Sequence, residues 1–251
     1  MLTQTRAVAA YAERPALYSS FARTPSEVRE AQALRYQVFA EEMGAHLRNR
    51  DRLDRDGYDP FCDHLLVRER DTGKVVGTYR ILSPAMASAA RGYYSASEFD
   101  LSRIEHLFDQ TVEVGRACVH PDYRNGATIS LLWAGLARYM QLNRYDHLIG
   151  CASISMADGG HRAAGLYNRL KHEHLAPAEY RVTPLCPLPL ASLRQNADAV
   201  CPPLIKGYLR LGAYICGEPA WDPDFNTADL LIMLPMSRID RRYAAHFLKQ
   251  P

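Results

Sequence analysis

The sequence predicts a single domain of mixed α/β class. Three observations carry that reading. Strand and helix signals succeed each other in the order helix, antiparallel hairpin, further strands, then strand–loop–helix–strand–helix–strand. The 251 residues are 47% hydrophobic and 23% charged, enough for one sizeable core and too apolar for disorder. No repeat is visible, and no apolar run reaches the ~18 residues that span a bilayer.

Residues 1–24 have weak periodicity and read as an N-terminal arm, flexible beside a domain of 25–251. In "SEVREAQALRYQVFAEEMG", Val28, Ala31, Leu34, Arg35, Val38 and Phe39 recur near helical spacing. Ser26 is the candidate N-cap, Glu30 its partner near the first turn, and Gly44 the stop. The charged "RDRLDRDGYDPFCD" cannot be regular throughout. "HLLVRER" and "VVGTYRIL" flank "DTGK" and predict a hairpin. A polar connection over 83–110 carries a short helix or two. A strand at 112–119, a helix at 127–142, the strand "HLIGCAS" and the helix "DGGHRAAGLYNRLKHEH" follow. Strands are expected around 179–183, 206–215 and 228–234, and a closing helix near 238–248. The proline-rich excursion over 184–203 reads as a lid or arm.

The net charge of +2 gives no footprint for a nucleic-acid partner. The basic "RIDRR" at 238–242 suits an acidic partner. The six cysteines, at 62, 118, 151, 186, 201 and 216, form no Cys-x-x-Cys pair, and no signal-peptide core follows Met1. Reduced thiols in a cytoplasmic protein are expected. No metal site is expected: His172 and His174, two apart around Glu173, do not share a helix face.

The chemistry concentrates in "EVGRACVHPDYRNG", Glu113 to Gly126. A core strand holding Glu113 and Arg116 is unusual. Residues three apart on a regular strand face opposite sides, so the two meet in one cleft only if Gly115 admits a bulge. Otherwise they form an outward ion pair on an edge. The strand then hands over to a helix through Arg124, Asn125, Gly126 and Ala127. Gly126 permits close backbone approach, and the helix start offers unpaired N–H groups suited to a phosphate. A plain strand-to-helix turn is the alternative.

The "HPDYRNGA" loop, through Pro121, Tyr123 and Arg124, resembles the pyrophosphate loop of the GNAT acetyltransferase superfamily. Further segments resemble acyl-homoserine-lactone synthases: Arg35, Val38 and Phe39 in "LRYQVF", Asp56 and Asp59, Arg80 in "GTYRIL", and the Glu113–Arg116 pair. Longer runs, among them "EVGRACVHPDYRNGATISLLWAGLARYM" and "PPLIKGYLRLGAYICGEPAWDPDFNTADLLIMLP", resemble L-ornithine Nα-acyltransferases over about residues 27–248.

The resemblance implies a GNAT-like mixed, mostly antiparallel sheet flanked by helices, with a C-terminal extension. A V-shaped split is expected between the strands at 112–119 and 147–153. The implied activity is transfer of a 3-hydroxyacyl chain from acyl carrier protein to the α-amine of L-ornithine, giving lyso-ornithine lipid. No cofactor is required beyond the carrier's own phosphopantetheine, and a peripheral contact with the inner membrane face is implied. The short glycine pattern of the loop favours a donor presenting one phosphate.

The attacking amine must be neutral, so a carboxylate must take its proton, and Glu113 is the candidate. Tyr167 is the candidate donor to the departing thiolate. Arg116, Arg35 and Arg80 are candidates for the substrate carboxylate, with Arg116 preferred and Arg35 assigned to ordering the acidic segment. Asp56 or Asp59 would hold ornithine's side-chain ammonium. Arg124, Asn125, Gly126 and Ala127 would hold the donor phosphate. Glu218, Trp221 or Asp222 would line the acyl or amino-acid pocket. An acyltransferase for another amino acid, a lactone-forming synthase and a non-catalytic carrier- or lipid-binding module stay open on sequence.

Overall fold

A computed structural model describes residues 16–47, 51–196 and 198–239. Its elements in chain order are β1 (Leu17–Phe21), α1 (Pro25–Tyr36), β2 (Asp63–Glu69), β3 (Val75–Leu82), α2 (Pro84–Ala89), β4 (Phe99–Asp100) and β5 (Thr111–Val119). Then come α3 (Ala127–Asn143), β6 (His147–Ser155), α4 (His161–His174), β7 (Thr183–Pro184) and α5 (Pro203–Arg210). The chain continues through β8 (Tyr214–Ile215), β9 (Ala220–Asp222) and β10 (Thr227–Pro235). No helix among the described residues is long and apolar enough to cross a membrane.

The main sheet has the order β1-β2-β3-β5-β6-β10-β8, with β9 also on β10, and β4 and β7 form a separate ribbon. Every join in the main sheet is antiparallel except β5–β6. That join pairs only Thr111, Val112 and Glu113 with His147, Leu148 and Ile149. Beyond Glu113 the strands part, which produces the expected split.

One sheet face carries Tyr79, Ile81, Val112, Leu148, Ala152, Leu230 and Ile232 against α3, α4 and α5. The other carries Leu82, Ile149, Leu231 and Met233 against the 84–108 insertion. Helix α1 covers Leu66, Val75 and Cys118 on that second side. The alternation follows from the strand period of two, and two covered faces explain why β3 and β10 are buried at every position.

Three local expectations need correction. Residues 17–21 are not part of an arm: they form edge strand β1, paired with β2. Residues 1–15 lie outside the described residues. Helix α1 is capped by Thr24 rather than Ser26, through a capping box with Glu27 and a proline at its first turn. Residues 203–210 are helical, not a strand, and only Tyr214–Ile215 pair with β10. The closing helix expected near 238–248 falls almost wholly outside the described residues.

Candidate active site

The split opens because β5 bulges. Gly115 pairs with Arg80 and Cys118 with Thr78, so Arg116 and Ala117 together oppose Tyr79. The bulge is therefore one residue beyond Gly115. Arg116 sits at φ 53°, in the left-handed region that a branched-free, well-partnered side chain can hold only under constraint. The irregularity lets Glu113 and Arg116 both line a single cleft of about 320 Å³, with Arg80, Tyr94 and Arg124. Leu148, Leu204 and Ile232 supply apolar walls.

The acidic segment clamps three arginines below this cleft. Arg35, fully buried, donates through Nε to Asp54 Oδ2 at 2.9 Å and through Nη2 to Asp59 Oδ2 at 2.9 Å. Arg80 Nη1 reaches Asp56 Oδ1 at 2.7 Å and Asp59 Oδ1 at 3.2 Å. Arg116 Nη2 reaches Asp56 Oδ2 at 3.2 Å. Burial alone would raise the Asp56 and Asp59 pKa values; the arginines outweigh it and hold both carboxyls below the ordinary range. Asp56 and Asp59 are thus already neutralised by guanidinium groups. Sequence reasoning offers either for a substrate ammonium; in the structure both are engaged by arginines.

Glu113 accepts three hydrogen bonds, from Tyr94 N at 2.5 Å, Ser95 N at 2.8 Å and Ser95 Oγ at 2.5 Å. Its carboxylate thereby anchors the short turn Tyr94–Ser97. Burial raises the Glu113 pKa, and the Ser95 and Tyr94 bonds oppose the rise. Arg116 turns the other way and stacks its guanidinium on Tyr94 at 5.0 Å and Phe225 at 4.6 Å. The two residues share a cleft and both engage Tyr94, Glu113 through its backbone N–H and Arg116 through its ring, rather than bonding to each other.

The loop after β5 is partly engaged. Arg124 forms a bidentate pair with Glu42, at 2.6 and 2.7 Å. Asn125 Oδ1 accepts from Ala127 N at 3.1 Å, and Gly126 opens α3 at φ 90°. Tyr167 does not line the cleft. It packs within the core on α4, against Lys171. The tyrosines lining the cleft are Tyr58, Tyr79, Tyr94 and Tyr208; the hydroxyls of Tyr79 and Tyr208 lie 2.5 Å apart, and burial raises both pKa values. Tyr208 lies on α5, in the stretch that reads as a strand, which is why sequence reasoning passed over it. Glu218 and Trp221 are exposed, whereas Asp222 reaches the cleft.

Asp222, named from sequence as a pocket residue, belongs to a further cluster whose other members, Glu98 and Asp229, the sequence analysis does not name. Single carboxylate oxygens of Glu98, Asp222 and Asp229 lie within 4.8 Å of one another. Asp229, only 4% exposed, sits in β10 opposite Ser153 and lines the cleft. Its Oδ1 has no hydrogen bond, nor have the carboxylate oxygens of Glu98. Burial, then repulsion from the neighbouring carboxylates, raises Glu98 and Asp229. The signal was present in "TADLLIMLP", an acid inside an otherwise apolar central strand.

Comparison with known proteins completes the picture. Residues 34–134 match the family described as acetyltransferase (GNAT) domain. The chain is 39% identical to the L-ornithine N(alpha)-acyltransferase of Agrobacterium fabrum, over 92% of this chain and 85% of that protein. It is 38% identical to that of Rhizobium meliloti, over 92% and 84%, and 34% identical to that of Rhodobacter capsulatus, over 91% and 93%. Among solved structures, TofI in a ternary complex with an inhibitor and MTA superposes with a TM-score of 0.54 at 15% identity, over 93% of this chain and 98% of that one. FeeM, an N-acyl amino acid synthase, gives 0.52 at 13% identity, over 89% and 92%. The structural likeness shows a shared fold, and the sequence likeness shows more: the chain is an acyltransferase of GNAT fold that belongs to the L-ornithine N(alpha)-acyltransferase family.

Proposed function

We propose that the protein transfers a 3-hydroxyacyl chain from the phosphopantetheine thioester of acyl carrier protein to the α-amine of L-ornithine, the first step in making an ornithine lipid. The observation that carries this reading is the cleft at the β5–β6 split. It brings a carboxylate, an arginine fork and apolar walls beside the start of α3. The names of the sequence relatives support ornithine as acceptor.

Direct transfer needs few parts. The neutral amine attacks the thioester carbonyl, and the tetrahedral adduct collapses by expelling the pantetheine thiolate. The amide nitrogen loses one proton and the thiolate gains one. Glu113 uses one of four carboxylate lone-pair directions, the one left by its three bonds, to take the first proton, directly or through water. Tyr208 takes the thiolate-protonating role assigned on sequence to Tyr167. Arg116 receives the substrate carboxylate by exchanging its contact with Asp56. The backbone N–H groups of Gly126 and Ala127 receive the donor phosphate, Ala127 by exchanging its contact with Asn125, and Arg124 joins after it leaves Glu42. A peripheral contact with the inner membrane face suits release of the acylated product.

The test is mass spectrometry of purified protein incubated with 3-hydroxyacyl carrier protein and L-ornithine. A product heavier than ornithine by the acyl chain, sited on the α-nitrogen, is expected. Thioester hydrolysis without amide formation would sink the reading.

A further inference from the structure

Within the proposed amino-acid acylation, on which this inference rests, we propose that Glu98, Asp222 and Asp229 form the subsite for the side-chain ammonium of the acceptor. Three features point there. The cluster gathers three carboxylates in one place with no arginine or lysine bonded to them among the described residues. Asp229 is more than nine-tenths buried, carries an unpartnered oxygen and faces the cleft. The cluster also adjoins the arginine that receives the α-carboxylate: Phe225, on which Arg116 stacks, donates its N–H to Asp222 Oδ1 at 3.1 Å.

The placement follows from register. Asp222 and Asp229 lie two rungs apart on β9 and β10, opposite Thr227 and Ala220, so period two sends them to one face. Ser153 and Cys151 of β6 share that face, as does Glu113. Glu98 closes the group from the insertion. Burial raises the Tyr94 hydroxyl; Arg116, stacked on its ring, opposes the rise, and the charges of Glu98 and Asp222 add to it.

Desolvated carboxylates so close cannot all ionise unaided. An ammonium brings three N–H donors, matching three carboxylates, and its charge makes ionisation favourable. The groups facing this site are Ser153 and Thr227, whose hydroxyls favour charged Asp229, Cys151 beside Glu98, and Tyr94. Ornithine binding should therefore release protons near neutral pH. L-Norvaline, with the same carbon chain and no side-chain ammonium, should not. The subsite selects for a basic amino acid by leaving buried carboxylates uncompensated when a neutral one binds.

The experiment is calorimetric titration of L-ornithine and L-norvaline into the full chain, in two buffers of different ionisation enthalpy and without acyl donor. Asp229→Asn and Glu98→Gln are titrated alongside, each checked for an unchanged circular dichroism spectrum. Wild type is expected to prefer ornithine and to release protons on binding it. Either variant should weaken ornithine by on the order of 10²-fold and collapse its preference over norvaline. Unchanged ornithine affinity in both folded variants would overturn the proposal. So would Mg²⁺ or Ca²⁺ binding at the cluster, with ornithine binding abolished by chelator, since the carboxylates would then be metal ligands. Acylation with donor present is read separately: absence of product while the binding pattern holds defeats the acyltransfer reading and leaves the subsite standing.

Discussion

Glu113 shows how a residue can be singled out for one reason and held for another. The strand position marks it as a candidate base, but its carboxylate is also the N-terminal anchor of the Tyr94–Ser97 turn. Glutamine at 113 cannot repeat this arrangement. Its amide group would point N–H donors at a backbone N–H or at Ser95, leaving a buried donor unpaired, a loss of about 1–3 kcal/mol. Glu113→Gln is therefore expected to lower Tm in a thermal melt as well as to lower kcat by on the order of 10²–10⁴. An unchanged Tm would show the turn to be held by other contacts. Arg116→Lys separates binding from catalysis: it keeps the charge, loses the fork, and should raise the ornithine KM with little change in kcat, measured by steady-state kinetics. Arg35 is a purely structural case. Arg35→Met leaves Asp54 and Asp59 buried with a partner missing, and about 3–5 kcal/mol of stability should be lost in urea denaturation.

At the scale of elements, the sequence was legible where one physical signal dominated. The hairpin at 63–82, strand β5, helices α3 and α4 and strand β10 each follow from period and turn chemistry alone. The acidic segment and its arginines could be located but not paired, because pairing across 19 to 60 positions is set by packing rather than by local pattern. Helix α5 was misread because prolines at 202 and 203 look like breakers, although proline at a first helical turn is favoured. The acid cluster was invisible because Glu98 reaches it from an insertion with no regular period. The close approach of β5 and β6 where the split begins depends on Gly150, where a Cβ would lie 2.3 Å from the carbonyl oxygen of Val114. Gly150→Ala must push β5 and β6 apart, and should cost about 1–3 kcal/mol together with activity. Equal stability and activity in that variant would show that the backbone yields there freely.

The whole molecule carries two opposed responses to pH. Asp56 and Asp59 have lowered pKa values, so their contribution is present above the unfolded carboxylate range and fades as pH falls below it. Glu98 and Asp229 have raised values, so their contribution is complete below that range and fades as pH climbs through the raised pKa. Stability measured without substrate should therefore peak in mildly acidic solution. Saturating ornithine should recover more stability on the alkaline side than at the peak, read as a Tm difference across the pH series. A substrate effect independent of pH would contradict this. The donor side is tested by comparing acyl carrier protein with acyl-CoA at rising salt: the carrier should be the better donor, with kcat/KM falling as its docking is screened. Equal efficiency on both donors at every salt concentration would remove the carrier from the account.

The three-residue parallel join also has a mechanical meaning. Among the described residues it is the only strand pairing between two antiparallel half-sheets, β1-β2-β3-β5 and β6-β10-β8. Helix α3 leans on the first half and α4 on the second. Tyr208, on the helix α5 that leads into β8, ties that end of the second half to the first, hydroxyl to hydroxyl with Tyr79 of β3 and ring against Trp133 of α3 at 4.9 Å. The molecule is built like a hinged book whose spine is short. Native-state hydrogen exchange should resolve two cooperative blocks whose opening energies differ, and Tyr208→Phe should loosen the spine before it loosens either cover.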